Sequence, residues 1–275
     1  MRNTPYWMAM GSLLLVAAPA AHAADGNDPF SLSTGANYSS GKYGTSVTTD
    51  IWSVPITAAF QTDRWTFKLV VPYIGISGAG NVIPGAGAVK NTNPKSRGQG
   101  HVVGNGSTGG TTSGSASGLG DVVASAGYQL YTSQDGTFGL DLTGKVKFGT
   151  ADENKGLGTG KNDYGVSVDA YKVVGNWTPF GGVGWTKYGS SQYIKLKNAF
   201  NANLGVDYKL NDANNIGTYY YYRQRIADGG AAQSELTGYW NHKIGNRWRL
   251  QTYVLAGFAN GSPDFGGGAS IKFNF

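Results

Sequence analysis

The sequence predicts an all-β protein, a 12-stranded antiparallel transmembrane β-barrel of the bacterial outer membrane. Three observations predict this fold: alternating apolar and polar segments recur along the chain, short turns alternate with longer links, and aromatic residues stand at segment ends. The last segment, ASIKFNF, shows the pattern, because Ala269, Ile271, Phe273 and Phe275 would all point to one face of an extended strand. We expect this apolar face to meet lipid.

The predicted strands are justified one by one by an outward apolar set that repeats every second residue. A segment of about ten alternating residues closed by turn residues is the signature of a transmembrane β-strand. The twelve outward sets span residues 32–38, 52–60, 65–73, 122–130, 138–148, 164–170, 177–185, 200–208, 216–222, 236–244, 248–258 and 265–275.

The connections between the predicted strands fall into two classes. The short turns are 62–64, 132–136, 175–176, 211–214 and 245–247. The longer links are 40–44, 78–118, 150–161, 188–197, 226–232 and 259–264. An even strand number with short turns on the side of the termini is typical of outer-membrane barrels, so the short turns are predicted to be periplasmic and the Gly/Ser-rich loop 78–118 extracellular.

Aromatic residues are predicted to form girdles at both edges of the apolar band. Ten residues of a strand tilted by about 40° rise about 25 Å, which is the height of such a band. Outward aromatic pairs with this spacing are Phe138 and Phe148, Trp248 and Phe258, and Phe265 and Phe275.

Composition agrees with a membrane barrel. The chain has 44 glycines and 17 tyrosines, but only 14% charged residues, whereas soluble domains carry about a quarter. There is no cysteine, which excludes disulfides and thiolate metal sites. The net charge of +6 is modest, and no basic run with interleaved aromatics predicts nucleic-acid binding.

The N-terminal residues have the features of a secretory signal peptide. Arg2 precedes an apolar run too short to span a membrane, and Ala21-His22-Ala23 forms a cleavage site. We therefore predict a Sec-type signal peptide at 1–23, cleaved after Ala23, and a mature barrel at 24–275 in the outer membrane of a Gram-negative bacterium.

Three stretches carry a resemblance to a known family. They are AAFQTDRWTFKLVVPYIGIS, SGLGDVVASAGYQLY and GLDLTGKVKFGTADENKGLGTGKNDYGVSV, with the marks Val71-Pro72-Tyr73, Gly118-Leu119-Gly120-Asp121 and 156–160. The sequence resembles the outer-membrane family labelled phenol-degradation meta-pathway proteins, also called transporters. The resemblance implies a porin-like barrel, with aromatic compounds as one suggested cargo.

An enzymatic function is not expected. Outer-membrane lipid hydrolases need a nucleophile, a base and an orienting group, but the mature chain has only His101 and His242, and no acid is expected beside His242. We therefore expect no catalytic residue, no metal and no cofactor, and keep a lipid hydrolase as a disfavoured alternative.

The inward residues of the predicted barrel are the candidate pore lining. Tyr219, Tyr221, Tyr239 and Tyr253 are expected to form one aromatic wall. Such a wall could stack on a sugar or aromatic ring, or it could simply fill the lumen.

Charged residues are predicted inside the barrel as well. The inward cations are Lys68, Lys145, Lys147, Lys209, Arg223, Arg225, Lys243, Arg249 and Lys272, against the acids Asp121, Asp141, Asp163, Asp169, Asp207 and Glu235. Lys145 and Asp169 lie on adjacent predicted strands, which favours a structural ion pair. Arg223 and Arg225 are expected at the outer mouth, where they would attract anionic solutes or bind lipopolysaccharide phosphates.

These observations predict a porin-like channel for passive diffusion of small solutes, weakly selective for anions. The alternatives are a channel for aromatic or hydrophobic compounds linked to their degradation, and the lipid hydrolase. The expected partners are outer-membrane lipid, lipopolysaccharide, the barrel assembly machinery and the solutes themselves, with no nucleic acid.

Overall fold

The structure, a computed structural model, describes residues 29–97 and 113–275 and is built of antiparallel β-strands. The predicted signal peptide and His101 lie outside the described residues. The strands are β1 Phe30–Gly41, β2 Thr49–Gln61, β3 Trp65–Ala79, β4 Val82–Ile83, β5 Gly87–Ala88, β6 Ser113–Leu119, β7 Val122–Thr132, β8 Phe138–Phe148, β9 Asp163–Lys172, β10 Trp177–Lys187, β11 Ala199–Lys209, β12 Asn214–Arg223, β13 Gln233–Ile244, β14 Trp248–Gly257 and β15 Phe265–Asn274. A short 3₁₀ helix, Glu153–Lys155, lies in the loop after β8.

These strands close into a barrel of twelve, which confirms the predicted fold. β6 and β7 both pair with β3 and together form the fourth barrel strand, while β4 and β5 form a separate small hairpin. The barrel closes where β1 pairs with β15 from Ser31–Asn274 to Ser40–Phe265. The Phe275 amide also donates a hydrogen bond to the Phe30 carbonyl.

The loop predicted at 78–118 is shorter in the structure. Residues Ser113–Leu119 pair with the upper half of β3 and therefore extend the barrel wall outward. The sequence pattern missed this strand because its residues, SGSASGL, offer no large apolar side chain until Leu119.

The outward face of the barrel is apolar, as a lipid-facing surface must be. Leu204, Val254 and Val183 are 70%, 69% and 63% exposed. Aromatic contacts follow the periplasmic strand ends: Trp177–Tyr208, Trp248–Phe273, Trp65–Tyr128 and Phe30–Phe275, with ring centroids 4.5, 4.7, 4.8 and 5.1 Å apart. No helix among the described residues is long and apolar enough to cross a membrane.

The extracellular loops pack against one another. Ile83 and Val89, from either side of the β4–β5 turn, are buried with Ile194 and Ala227 of two later loops. Arg97 fixes the same segment from its other end, because its guanidinium donates to the carbonyls of Ala79, Val82 and Gly156. The described part of the loop, residues 80–97, is therefore a packed cap.

Candidate functional site

Aromatic side chains fill part of the lumen. Tyr171, Phe180, Tyr219, Tyr221 and Tyr239 form one buried cluster, against which the half-buried Tyr253 packs. The strand alternation directs each of them inward, on β9, β10, β12, β13 and β14. Glycines on the neighbouring strands leave the space that these rings occupy.

Tyr239 shows how a ring reaches across a glycine. It pairs with Gly217 in the strand register, and Gly217 pairs with Asp207 on the next strand. A Cβ on Gly217 would lie 2.2 Å from the Tyr239 hydroxyl, so only glycine leaves room there. The Tyr239 hydroxyl donates a 3.0 Å hydrogen bond to Asp207 Oδ2, and the Asn215 amide donates to the same oxygen.

The acidic residues lie beside the aromatic cluster and are covered. Asp141 pairs directly with Asp169 in the register of β8 and β9. Asp169 accepts hydrogen bonds from Ser167 at 3.0 Å and from Asn203 at 3.3 Å. Asp141, Asp169 and Asp207 are 5%, 2% and 4% exposed.

The register does not support the predicted ion pair between Lys145 and Asp169. Lys145 pairs with Gly165, two inward positions away from Asp169. The sequence pattern identified the two strands as neighbours but could not fix their relative offset, because shifting the register by two residues keeps every side chain on its face.

Cations occupy the opposite wall near the periplasmic end. Lys243, Arg249 and Lys272 are register partners on the adjacent strands β13, β14 and β15, and we call them the cationic row. Lys68 of β3 is a further cation whose charge acts on Lys272. All four side chains are half-buried. In the ring of twelve strands, β14 and β15 lie six strands from β8 and β9, which carry Asp141 and Asp169.

The two arginines predicted at the outer mouth lie in different surroundings. Arg223 ends β12 and is buried, 2% exposed, and its Nη1 donates a 2.8 Å hydrogen bond to the Gly85 carbonyl. Arg225 lies in the following loop and is exposed. Among the described residues, Arg223 and Arg225 therefore do not together line an open mouth.

A cavity lies on the lumen side of this contact. The empty space among its lining residues is about 710 Å³, counting the part that is open to solvent. The lining includes three cations, one acid, two tyrosines and several small polar groups: Lys145, Lys147, Arg223, Asp163, Tyr188, Tyr221, Thr143, Ser167, Thr186 and Asn201.

Lys147 holds an ion network at the edge of this cavity. Its Nζ lies 2.5 Å from Asp121 Oδ2 and 3.1 Å from Asp163 Oδ2. Asp163 Oδ1 also accepts from the Gly189 amide, and Asp121 Oδ1 accepts from the Ala151 amide. The two carboxylates are thus held by Lys147 and by backbone amides of two loops.

Sequence reasoning missed Tyr188, Phe180 and Tyr171 as lumen residues. The alternation of β10 could have indicated Tyr188. The inward positions of β10 are the even-numbered residues from 178 to 186, and Tyr188 is the next position in that series. Phe180 and Tyr171 are inward by the same alternation, and each covers a neighbouring glycine: Phe180 covers Gly205, and Tyr171 covers Gly139.

The described residues show no grouping of three or more metal-ligating side chains. His242 stacks on Trp240 with centroids 5.4 Å apart, and its Nδ1 lies 2.8 Å from Asn214 Oδ1. These neighbours supply neither a nucleophile nor an acid to the imidazole.

The fold and its charged lumen define an outer-membrane-type β-barrel. A family model described as "Putative MetA-pathway of phenol degradation" matches residues 18–275, and the chain belongs to that family. A search of curated proteins gave no match.

Two solved structures share the fold. The COG4313 outer membrane channel from Pseudomonas putida F1 superposes with a TM-score of 0.64 at 14% identity, covering 90% of this chain and 96% of that chain. The β domain of the Bordetella autotransporter BrkA gives a TM-score of 0.50 at 14% identity, covering 90% and 100%. At these identities the likeness shows the barrel fold.

Proposed function

We propose that the protein is a channel through which small solutes cross the outer membrane by passive diffusion, with a preference for anions. Its family membership and its fold, which it shares with an outer membrane channel, support the transport role. The polar and charged residues of the lumen favour a channel in which solutes diffuse through water over a barrel with a packed interior.

The observation that carries the anion preference is the unequal burial of the two charge signs. The cationic row and Lys68 are half-buried, whereas Asp141, Asp169 and Asp207 are almost fully covered. Like charges directly opposite one another on adjacent strands repel, and the charges of Lys68 and Arg249 both act on Lys272. In this proposal a solute in the lumen therefore reaches these four cations more readily than the three acids.

The first experiment is conductance of the purified full-length protein in a planar bilayer. We expect discrete current steps in potassium chloride. A protein that inserts, shows heat-modifiable migration and yet gives no current at any voltage would contradict the channel function.

Aromatic compounds are the second candidate cargo. Tyr188 and Tyr221 line the cavity, and the family description names phenol degradation. Liposome swelling separates the candidates, since an aromatic channel should admit phenol-sized aromatic solutes faster than polyols of equal mass, while a general channel should rank solutes by size.

Exposed cations on the extracellular side have another role in this proposal. Lys90, Lys95 and Arg225 are exposed on the extracellular loops, where we propose that they bind phosphates of lipopolysaccharide. Their replacement should leave ion selectivity unchanged.

A further inference from the structure

We infer that Asp141, Asp169 and Asn203 form a binding site for one calcium ion on the inner wall of the barrel. The three residues lie on β8, β9 and β11, and the ion would be held by their carboxylate and amide oxygens. This inference goes beyond the proposed channel function and does not rest on it, because calcium binding to the wall is measured without a current.

The strand register brings the three side chains together. Asp141 pairs with Asp169 across β8 and β9. Asp169 in turn pairs with Gly182, which pairs with Asn203 on β11. Residues directly opposite each other on an antiparallel pair have Cβ atoms about 4.5–5.5 Å apart, so one ion can contact both carboxylates.

Gly182 makes room for this arrangement. A Cβ at this position would overlap Asp169 Oδ1, so the carboxylate lies over the glycine. The Asn203 Nδ2 donates a 3.3 Å hydrogen bond to the same oxygen across the glycine. The amide of Asn203 is therefore fixed beside the Asp169 carboxylate.

The two carboxylates lack a compensating positive charge among the described residues. Asp141 is 5% exposed, and no hydrogen bond from a described residue reaches its buried Oδ1 or Oδ2. Asp169 is 2% exposed, and its charge acts on Asp141. The ion pairs between described residues include neither acid. A buried carboxylate without a partner is costly and two that face each other repel, so a bound cation would remove both costs.

Asp207 shows how the barrel compensates another buried acid with its own residues. The Tyr239 hydroxyl and the Asn215 amide both donate hydrogen bonds to Asp207 Oδ2. Asp207 is 4% exposed, so it resembles Asp141 in burial but differs in having donors. This contrast makes Asp207 a matched control for the proposed site.

The available oxygens favour calcium. Asn203 Oδ1 is a further buried acceptor with no hydrogen-bond partner among the described residues. Asp169 accepts from Asn203 and from the Ser167 hydroxyl, which leaves lone pairs on its carboxylate for a metal. Calcium binds carboxylate and amide oxygens in a flexible geometry and completes its shell with water, whereas magnesium demands a near-ideal octahedron. Two carboxylates and one amide on three strands therefore suit calcium better than magnesium.

Calorimetry tests the site with full-length protein refolded in detergent, which keeps it free of lipopolysaccharide. We expect one calcium ion to bind per chain, and magnesium to bind at least about tenfold more weakly. Asp141→Asn and Asp169→Asn should each weaken calcium binding at least about tenfold, because each removes a charged ligand. Asn203→Ala keeps both acids and should weaken it several-fold. Asp207→Asn should leave calcium binding unchanged.

Urea unfolding in lipid vesicles gives a second readout. Calcium should raise the unfolding midpoint of the parent protein, because a ligand that binds the folded state stabilises it, and this shift should be lost in Asp141→Asn. With a calcium chelator present, Asp141→Asn should be at least as stable as the parent, because one of two facing charges is gone.

Three results would overturn the calcium site: no calcium binding by the parent, magnesium binding as tight as calcium binding, or an equal calcium-induced shift in the parent and Asp141→Asn. If the Asp→Asn variants lose heat-modifiable migration, Asn203→Ala decides, and unchanged calcium binding in that variant would also overturn the site. Conductance without calcium binding would reject this inference alone. Calcium binding without conductance would reject the channel function instead.

Discussion

Arg223 and Gly85 lie 138 residues apart in the chain, yet the Arg223 Nη1 donates a 2.8 Å hydrogen bond to the Gly85 carbonyl oxygen. Arg223 ends a barrel strand on the lumen side, and Gly85 lies in the turn between β4 and β5. The bond therefore ties the extracellular hairpin to the inner wall, and it places the hairpin in the barrel mouth. We expect the width of the outer opening to depend on the contacts that hold this hairpin.

The first prediction concerns Arg97, which fixes the same loop through three carbonyls. Burial lowers the pKa of Arg97 to about 10, which leaves the guanidinium charged at neutral pH. Arg97→Gln should free residues 80–97 and raise the single-channel conductance. Lys95→Gln, an exposed substitution in the same loop, is the control and should leave conductance unchanged. Equal conductance in both variants would show that the loop does not limit the current.

The second prediction concerns the C-terminal seam. Phe275 contacts the Phe30 ring at 5.1 Å and the Phe273 ring at 5.0 Å, and its amide bonds to the Phe30 carbonyl. Deleting Phe275 should lower the amount of protein in the outer membrane. The deletion weakens the closure of β15 against β1, and it removes the terminal aromatic residue that we propose the assembly machinery recognises. Phe275→Trp, which keeps an aromatic ring, is the control. Normal levels of heat-modifiable protein after the deletion would contradict this prediction.

The third prediction concerns pH and the periplasmic turn between β7 and β8. Hydrogen bonds from the Ser133 hydroxyl, the Thr137 amide and the Thr137 hydroxyl lower the pKa of Asp135 to about 2. A lowered carboxyl pKa stabilises the fold above the ordinary value of 3.8, and this contribution is lost as pH falls towards 2.

Asp135→Asn should therefore lower the urea midpoint of unfolding in lipid vesicles at pH 7, and the difference from the parent protein should be much smaller near pH 2. Asp63→Asn in another periplasmic turn is the comparison. A deficit in Asp135→Asn that is as large at pH 2 as at pH 7 would mean that the carboxylate charge is not responsible.

The fourth prediction concerns the buried pair Tyr239 and Asp207. Tyr239→Phe removes a hydrogen bond to a buried carboxylate and should cost about 1.5–3 kcal/mol in the free energy of unfolding. Tyr239→Ala also leaves a cavity and should cost about 3–5 kcal/mol. Tyr222→Phe on the lipid-facing side should change it by less than about 0.5 kcal/mol. Urea unfolding in vesicles measures all three changes. Equal stability of Tyr239→Phe and the parent protein would show that the Tyr239–Asp207 hydrogen bond does not stabilise the fold.

Strand number, strand phase and barrel closure could be predicted from the sequence because each depends on local alternation. Phe275 and Phe265 illustrate this, since their spacing alone placed them at opposite girdles. The offset between neighbouring strands cannot be predicted from alternation. The sequence therefore predicts a pair between Lys145 and Asp169, although the register places Lys145 opposite Gly165. For the same reason the sequence shows Lys243, Arg249 and Lys272 as inward cations but not that they are register partners. The sequence places Arg223 at the outer mouth but cannot show that it is buried there. Its hydrogen bond is to a backbone carbonyl 138 residues away, and local sequence does not predict such a contact.

The reversal potential across a potassium chloride gradient tests the anion preference most directly. The parent protein should favour chloride, and the preference should shrink at high salt, because the Debye length falls from about 30 Å at 0.01 M to about 3 Å at 1 M. Replacing the cationic row with glutamine at Lys243, Arg249 and Lys272 should abolish most of the preference, while the same change at the exposed Lys90, Lys95 and Arg225 should not. Cation preference in the parent, or an unchanged reversal potential after replacement of the row, would contradict the account.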